Sequence, residues 1–446
     1  MDSLLTHKYL APALAAVPVL ALLYRLSSKS KSLKGQYPLP PGPPRVPIFG
    51  NAFNFPPDRW YEAFTTWVEE HLYDTTGVLK SNGKDTWDLM YFNVLGSDII
   101  IISNLDVAKP LLEKRSNSFR PSDMMNYRVM GWDWNVVLAQ PGQFHTDCRT
   151  IFKRGIGQVE VAQFEHVIED ETKLLLKQLK ELKGDPWTVV QPRMGAVVIR
   201  VTYGDSIYKQ HGQELSDLNH TTLDLKKGIA QPSIALEYLE ANQDLDTVRD
   251  ALGMMYSAGT DNTASTFMSF IATMLLHPEV QSKIQEELDA ETPPGTLPKF
   301  DQRPQLRYLD AAWRESMRLN PSTPLGVPHT AEQEDIYNGI YIPKDTMLIT
   351  NIGFMCRDPR VFSDPDKYIP ERWLPEHNPD CSQLPDIYDI VFGFGRRICP
   401  GQFLADRTGF TFAAALLKTY DILPLQGDTV PKEFPYKDAI TRRPEE

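Results

Sequence analysis

The sequence predicts a mainly α-helical protein with a minor β portion, preceded by a single transmembrane helix. Three observations lead there. An uncharged N-terminal run is followed by a basic, proline-rich stretch. Four long segments read as helices, and the strand-like segments are few and short.

The N-terminal run, Tyr9 to Tyr24 (YLAPALAAVPVLALLY), lies between Lys8 and the basic residues Arg25, Lys29, Lys31 and Lys34. A helical span takes roughly 17–25 residues, so this run is slightly short, but Lys8 and Arg25 can snorkel at its ends. The basic excess after it predicts a single-pass anchor in the endoplasmic reticulum membrane, with the bulk of the chain in the cytosol. A cleaved signal peptide is the alternative, supported by the small residues around Ala13 to Ala16. The prolines of Tyr37 to Gly50 (YPLPPGPPRVPIFG) enforce a stiff, extended backbone that would hold a globular unit beside the bilayer. The expected organisation is an anchor at 1–26, a basic and proline-rich linker at 27–50, and a catalytic domain at 51–446.

With 446 residues and 42% hydrophobic content, the chain can bury a substantial core, and no internal repeat or long Ser/Gly linker divides it. A net charge of −12 argues against nucleic acid as a partner. Cys148, Cys356, Cys381 and Cys399 are too scattered for a disulfide framework.

Strands are expected over Thr86 to Phe92, Ile99 to Ser103 and Thr346 to Asn351. Gln158 to Lys183 is a charged amphipathic helix ending at Gly184. Val248 to Leu276 is long and mostly apolar, stopping before Pro278 as helices before proline do. Arg307 to Leu319 and Gln402 to Tyr420 complete the helices.

The chemistry concentrates in Val391 to Gly401, VFGFGRRICPG. A thiolate is both nucleophile and metal ligand, and its pKa falls near cations and helix N-termini. Arg396 and Arg397 precede Cys399, and the following helix directs its positive end at the sulfur. Gly393, Gly395 and Gly401 allow close backbone approach to something flat. No second cysteine makes a redox pair, and no spacing suits tetrahedral zinc. A cysteine hydrolase lacks an evident histidine partner, and an inert buried thiol would not need this loop. A lone thiolate with arginines beside it suits heme iron, an arginine meeting a propionate.

Phe392-x-x-Gly395-x-Arg397-x-Cys399-x-Gly401 resembles the heme-binding signature of the cytochrome P450 family. The resemblance implies heme b with Cys399 as the proximal iron ligand, Arg397 as a propionate partner and Phe392 packed near the sulfur. Glu315-Ser316-Met317-Arg318 is similar to the family's ExxR motif, and Arg372, in Pro370-Glu371-Arg372-Trp373, to the third member of that structural network. Glu315 shares a helical stripe with Tyr308, Ala311, Ala312 and Leu319. That places a carboxylate on a core-facing side, where it needs a partner, and Arg318 is one turn away. His145 and Arg149 align with a propionate-binding helix, His145 standing where the family has tryptophan. His329 resembles a further propionate contact.

Ser257 to Thr263 (SAGTDNT) interrupts the long apolar helix with small and polar groups, and an acid there is expected to be half buried. The resemblance assigns Asp261, Asn262 and Thr263 to proton delivery during oxygen activation. Asn262 departs from the usual threonine. It can donate and accept hydrogen bonds but lacks a hydroxyl.

Between Arg149 and Ala258 the family carries several dozen more residues. A shortened substrate cap is therefore expected near 209–235. Met124 to Leu138 and Pro321 to Val327 are expected to line an apolar pocket. The resemblance is nearest to fungal microsomal members of the O-methylsterigmatocystin oxidoreductase-like type. It implies a membrane-anchored monooxygenase that inserts one oxygen atom from O2 into a hydrophobic small molecule, in fungal secondary metabolism or xenobiotic oxidation. Its partners would be membrane lipid and an NADPH-cytochrome reductase, docked on a basic patch of Lys153, Arg154 and Arg396. A peroxide-using or rearranging heme-thiolate enzyme, or an impaired heme-binding remnant, are the alternatives that Asn262 and the short cap leave open. A soluble extracellular protein glycosylated at Asn219 is a further alternative.

Overall fold

A computed structural model describes residues 33, 35–72, 88–115, 119–121, 131–205, 208, 233–240, 244–424, 436–437 and 441–444. The expected anchor, Met124 to Met130, Asn219 and residues 209–232 of the cap lie outside the described residues. Among the described residues, no helix is long and apolar enough to cross a membrane.

Among the described residues, nine longer helices carry the architecture: α1 (Trp60–Leu72), α2 (Gln143–Ile156), α3 (Glu165–Glu181), α4 (Trp187–Tyr203), α5 (Ile234–Glu240), α6 (Leu245–Leu276), α7 (Pro278–Glu291), α8 (Arg307–Leu319) and α9 (Gln402–Thr419). The central element is α6. Its 32 residues span about 48 Å, and it begins where the Asp244 carboxylate caps the Asp246 amide. It ends at His277 because Pro278 opens α7 at the position where a missing N–H costs nothing. Helices α2, α4, α8 and α9 pack around it, burying Phe267, Phe270, Trp313, Phe410 and Phe412. The expected helix over Gln158 to Lys183 is instead a 3-10 turn, Glu160–Phe164, running into α3.

The main sheet orders β1 (Leu89–Val94), β2 (Ser97–Ile102), β6 (Met347–Thr350) and β3 (His329–Thr330), with only β2 and β6 parallel. Leu95 and Gly96 both have positive φ, the two-residue turn that matches the twist of a hairpin. The first strand therefore runs later than Thr86 to Phe92 suggested, because this turn sets the register with Val94 opposite Ser97. Two small antiparallel pairs, β4 (Asp335–Tyr337) with β5 (Ile340–Ile342) and β7 (Tyr436–Lys437) with β8 (Arg443–Pro444), complete the strands among the described residues.

The proline-rich stretch is extended and bonded to the main sheet and to the β4–β5 pair. Tyr91 donates its amide to Pro41 O at 2.8 Å, Tyr341 its amide to Pro38 O at 2.8 Å, and Asn51 its amide to Asn93 O at 2.6 Å. Gly42 is required by the contact: a Cβ there would meet Tyr91 O at 2.1 Å. Residues 38–50 thus lie on the globular unit.

Candidate active site

Cys399, Phe392, Arg397, His145, Arg149 and His329 come from three separated segments, the cysteine loop, α2 and β3, and line one cavity of about 310 Å³. Much of the remaining lining is apolar, with Met194, Val197 and Val198 of α4, Met254, Met255 and Ala258 of α6, and Val136 and Val137. Pro321, Ser322, Thr323, Gly326 and Val327, from the expected pocket segment, complete it. Of the four cysteines only Cys399 reaches this cavity. Cys148 and Cys356 are buried, and burial pushes each of their thiols up to about 12.

The loop of Cys399 is shaped by its backbone. Gly393 and Gly395 have positive φ, and Cys399 donates its amide to Phe392 O at 2.8 Å. Gly395 serves the protein's own packing: its Cβ would press on Leu112 O at 2.8 Å, so the close approach is to a neighbouring loop. Burial raises the Cys399 pKa, opposed by the Gly401 and Gln402 amides at the start of α9 and by Arg149. The lowered value expected for the free thiol is therefore overturned, because desolvation of the sulfur outweighs the helix terminus and the cation. That cation is Arg149 of α2, which donates to Ile398 O at 2.6 Å, whereas exposed Arg396 points elsewhere.

Four basic groups crowd the same wall. Burial and Arg397 lower the pKa of Arg120 to about 9, and burial and Arg149 lower that of Arg397 to about 10. Burial, then Arg397, Arg149 and Arg120, hold His145 down to about 4. Asp406, the one carboxylate lining the cavity among the described residues, is taken by Arg303, by the Tyr388 hydroxyl at 2.6 Å and by the Trp313 indole N–H at 3.1 Å. Arg120 was not foreseen. It is anchored by donating to Val137 O, Val327 O and Pro328 O at 2.8–3.0 Å, contacts that no local pattern encodes.

Beside the cavity, α8 presents two faces. Trp313 and Met317 look into the cavity, while Glu315 and Arg318 lie on the other side, both fully buried. Arg318 grips Glu315 with two bonds of 2.9 Å. Arg372 Nε and the Trp373 indole N–H donate to the same carboxylate at 2.9 Å each, and the Ile369 amide at 3.0 Å. The remaining Arg318 donors meet Cys356 O, Pro365 O and Lys367 O.

The family-model comparison matches cytochrome P450 over residues 193–446. Cytochrome P450 monooxygenase 208 of Postia placenta is 30% identical, over 92% of this chain and 88% of its own. Cytochrome P450 monooxygenase ple1 of Rhodocybe pseudopiperita is 29% identical, over 97% and 92%. The chain belongs to the cytochrome P450 family. A zebra fish cytochrome P450 solved with progesterone shares the fold, with a TM-score of 0.67 and 20% identity over 88% of this chain and 98% of that one. The alignment with the Postia relative runs over 470 positions. That exceeds the 446 residues here, so the relative carries segments with no counterpart in this chain.

As a P450, the chain is a monooxygenase, and the family implies heme-thiolate iron. The residues present fit that group: Arg120, Arg149 and Arg397 on one cavity wall suit a dicarboxylate porphyrin, and among the cysteines Cys399 alone offers a thiol to the cavity. The notch in α6 departs from expectation at one residue. Asn262 and Thr263 line the cavity, but Asp261 is exposed and accepts a bond from Gln191 Nε2 at 3.1 Å. The reason is geometric. Consecutive helical residues diverge by about 100°, and the cavity face runs Ala258, Gly259, Asn262, Thr263, Thr266.

Proposed function

We propose that this P450 is a membrane-anchored monooxygenase that inserts one oxygen atom from O2 into a hydrophobic small molecule, with heme b held by Cys399 and electrons delivered from NADPH by a partner reductase. The observation that carries the reading is one cavity lined by a single thiol, Cys399, and by the guanidiniums of Arg120, Arg149 and Arg397, with the His145 imidazole among them. Cys399 would ligate the iron, and Arg120, His145, Arg149 and Arg397 would receive the propionates, with His329 beside them. Heme, when bound, supplies the reductive activation of dioxygen.

The chain's own residues supply the rest. The Gly401 and Gln402 amides and Arg149 favour the thiolate over the thiol. Methionines and valines on α4 and α6 exclude water and accept an apolar molecule. The Thr263 hydroxyl and the Asn262 carboxamide are polar groups on the α6 face of that cavity, suited to holding a proton donor there. Glu315, Arg318 and Arg372 brace the cavity without lining it.

Residues 1–26 would span the endoplasmic reticulum membrane once, with the catalytic domain in the cytosol. Exposed Ile48, near the end of the linker, and Phe53, just after it, 91% and 76% accessible, support an apolar attitude toward the bilayer. The substrate would belong to fungal secondary metabolism or xenobiotic oxidation, a reading compatible with fungal P450 monooxygenases among the relatives. A reduced carbon monoxide difference spectrum tests the core of this reading. A Soret band typical of thiolate ligation is expected for the chain and should be lost in Cys399→Ser; a folded chain that takes up no porphyrin would overturn it.

One observation favours a second reading. With Asp261 turned outward and no hydroxyl at 262, the enzyme could use peroxide in place of reductase and O2. Turnover with peroxide and none with reductase would select it.

A further inference from the structure

Thr441 and Arg442 reach the cavity wall from the far end of the chain. Thr441 Oγ1 lies 2.7 Å from Asn262 Oδ1, and Thr323 Oγ1 lies 3.4 Å from the same oxygen. On the other side, Asn262 Nδ2 lies 3.0 Å from Ala258 O. Chemistry fixes which way the amide faces. A backbone carbonyl can only accept, so the nitrogen must face Ala258 and the oxygen must face the two hydroxyls, which donate. With both lone pairs engaged and one N–H used, the side chain keeps a single N–H.

The neighbouring bonds hold Thr441 in place. The Ser265 hydroxyl, one turn further along α6, donates to Arg442 O, and the Arg442 amide donates to Ser322 O at 2.7 Å. The Arg442 guanidinium lies over the rings of Tyr61 and Tyr436, at 5.1 and 4.3 Å. One two-residue stretch therefore ties the polar notch of α6 to the loop after α8. Asn262, Ser322 and Thr323 line the cavity; Thr441 stands behind them.

We propose that Thr441 is a positioning residue, whose hydroxyl fixes the Asn262 carboxamide so that it offers the cavity a hydrogen-bond donor and no acceptor. Without it the oxygen keeps only the long contact to Thr323, near the limit of a hydrogen bond. The amide could then turn and present its oxygen, inverting the polarity that a ligand meets. Asparagine has no hydroxyl to play both parts, so its orientation decides what the position can do. The inference rests on the heme reading above.

The test uses the full heme-loaded chain, with carbon monoxide on the ferrous form as the probe and the infrared C–O stretch as the readout. A nearby donor draws electron density toward the probe's oxygen and lowers the stretch. Thr441→Val, which keeps the shape and removes the hydroxyl, should raise or split the band, as should Asn262→Leu. Thr441→Ser should match the unsubstituted chain, and the N262L/T441V double variant should match N262L alone. A T441V band unmoved from the parent, a shift that T441S does not rescue, or a double variant equal to the sum of its singles would overturn the proposal. If T441V loads no heme, Thr441→Ala takes its place against T441S under the same criteria. Absence of the thiolate Soret band in the unsubstituted chain would sink the heme reading itself, a distinguishable result.

Discussion

Two arginine-rich regions lie on either side of α8 and differ in what they lack. Around Glu315 the charges are opposite and the donors are matched: five N–H groups converge on one carboxylate, and the spare guanidinium donors reach backbone carbonyls. Around the cavity the charges are alike. Burial lowers the pKa of Arg120, Arg397 and His145, and Arg397 adds to it at Arg120, Arg149 at Arg397, and all three arginines at His145. The one carboxylate lining the cavity among the described residues, Asp406, is engaged elsewhere. A closed network of this kind is a brace, because removing any member strands another. An open cluster is costly on its own and becomes favourable only when an anion arrives. The same residue type thus marks structure in one place and a binding site in the other.

The brace should be the easiest to break. Glu315→Ala leaves the buried Arg318 and Arg372 guanidiniums without their acceptor, and removing one partner of a buried pair costs about 3–5 kcal/mol. Denaturant unfolding of heme-free and heme-loaded protein should show losses of that size in both. A loss under about 1 kcal/mol in either form would mean that the network does not brace the fold.

How far the sequence revealed each region follows from the range of its contacts. Helix α8 forms over the expected residues, Arg307–Leu319, and its short-range pair Glu315–Arg318 meets three residues apart. Arg372 was nameable because it belongs to a compact motif; the Trp373 N–H beside it on the same carboxylate was passed over, since an indole donor leaves no periodic trace. In the cavity, Cys399 and its glycine-rich loop announced themselves by composition. Arg120 did not, being defined by carbonyls up to 208 residues away. Thr441 meets Asn262 across 179 residues, beyond any local pattern. Asp261, assigned with Asn262 by the resemblance, is exposed and bonded to Gln191, because helical geometry turns adjacent residues to different faces.

The open cluster should respond to mutation with opposite signs in its two states. Arg397→Met keeps the apolar stem and removes one of the mutually repelling charges. Heme-free protein should hold its stability or gain slightly, while heme should dissociate about 10- to 100-fold faster, the equivalent of a charge-assisted hydrogen bond of roughly 1.5–3 kcal/mol. Thermal unfolding of the heme-free form, with heme transfer to an apo-globin acceptor, measures both. Equal destabilisation of the two states would make this region a second brace and erase the contrast.

The smallest effect is a pH dependence, and it isolates the like-charge repulsion. His145 faces Arg120, Arg149 and Arg397, and burial together with those charges holds its pKa near 4 in the heme-free fold, against 6.5 for the ordinary side chain. Between those values the unfolded chain binds more protons than the folded one, so unfolding free energy rises with pH. The contribution is fully present above about pH 6.5 and is lost as pH falls toward about 4. Carboxylates titrate in the same window, so the quantity to measure is the difference between the parent and His145→Asn, by denaturant unfolding at pH 7 and pH 5. The parent should lose more stability on acidification than the variant. Bound propionates would supply the missing negative charge and raise the His145 pKa, so loading heme should shrink that difference. If parent and variant respond to acid identically without heme, the imidazole does not feel the three guanidiniums, and the cluster is less crowded than its geometry implies.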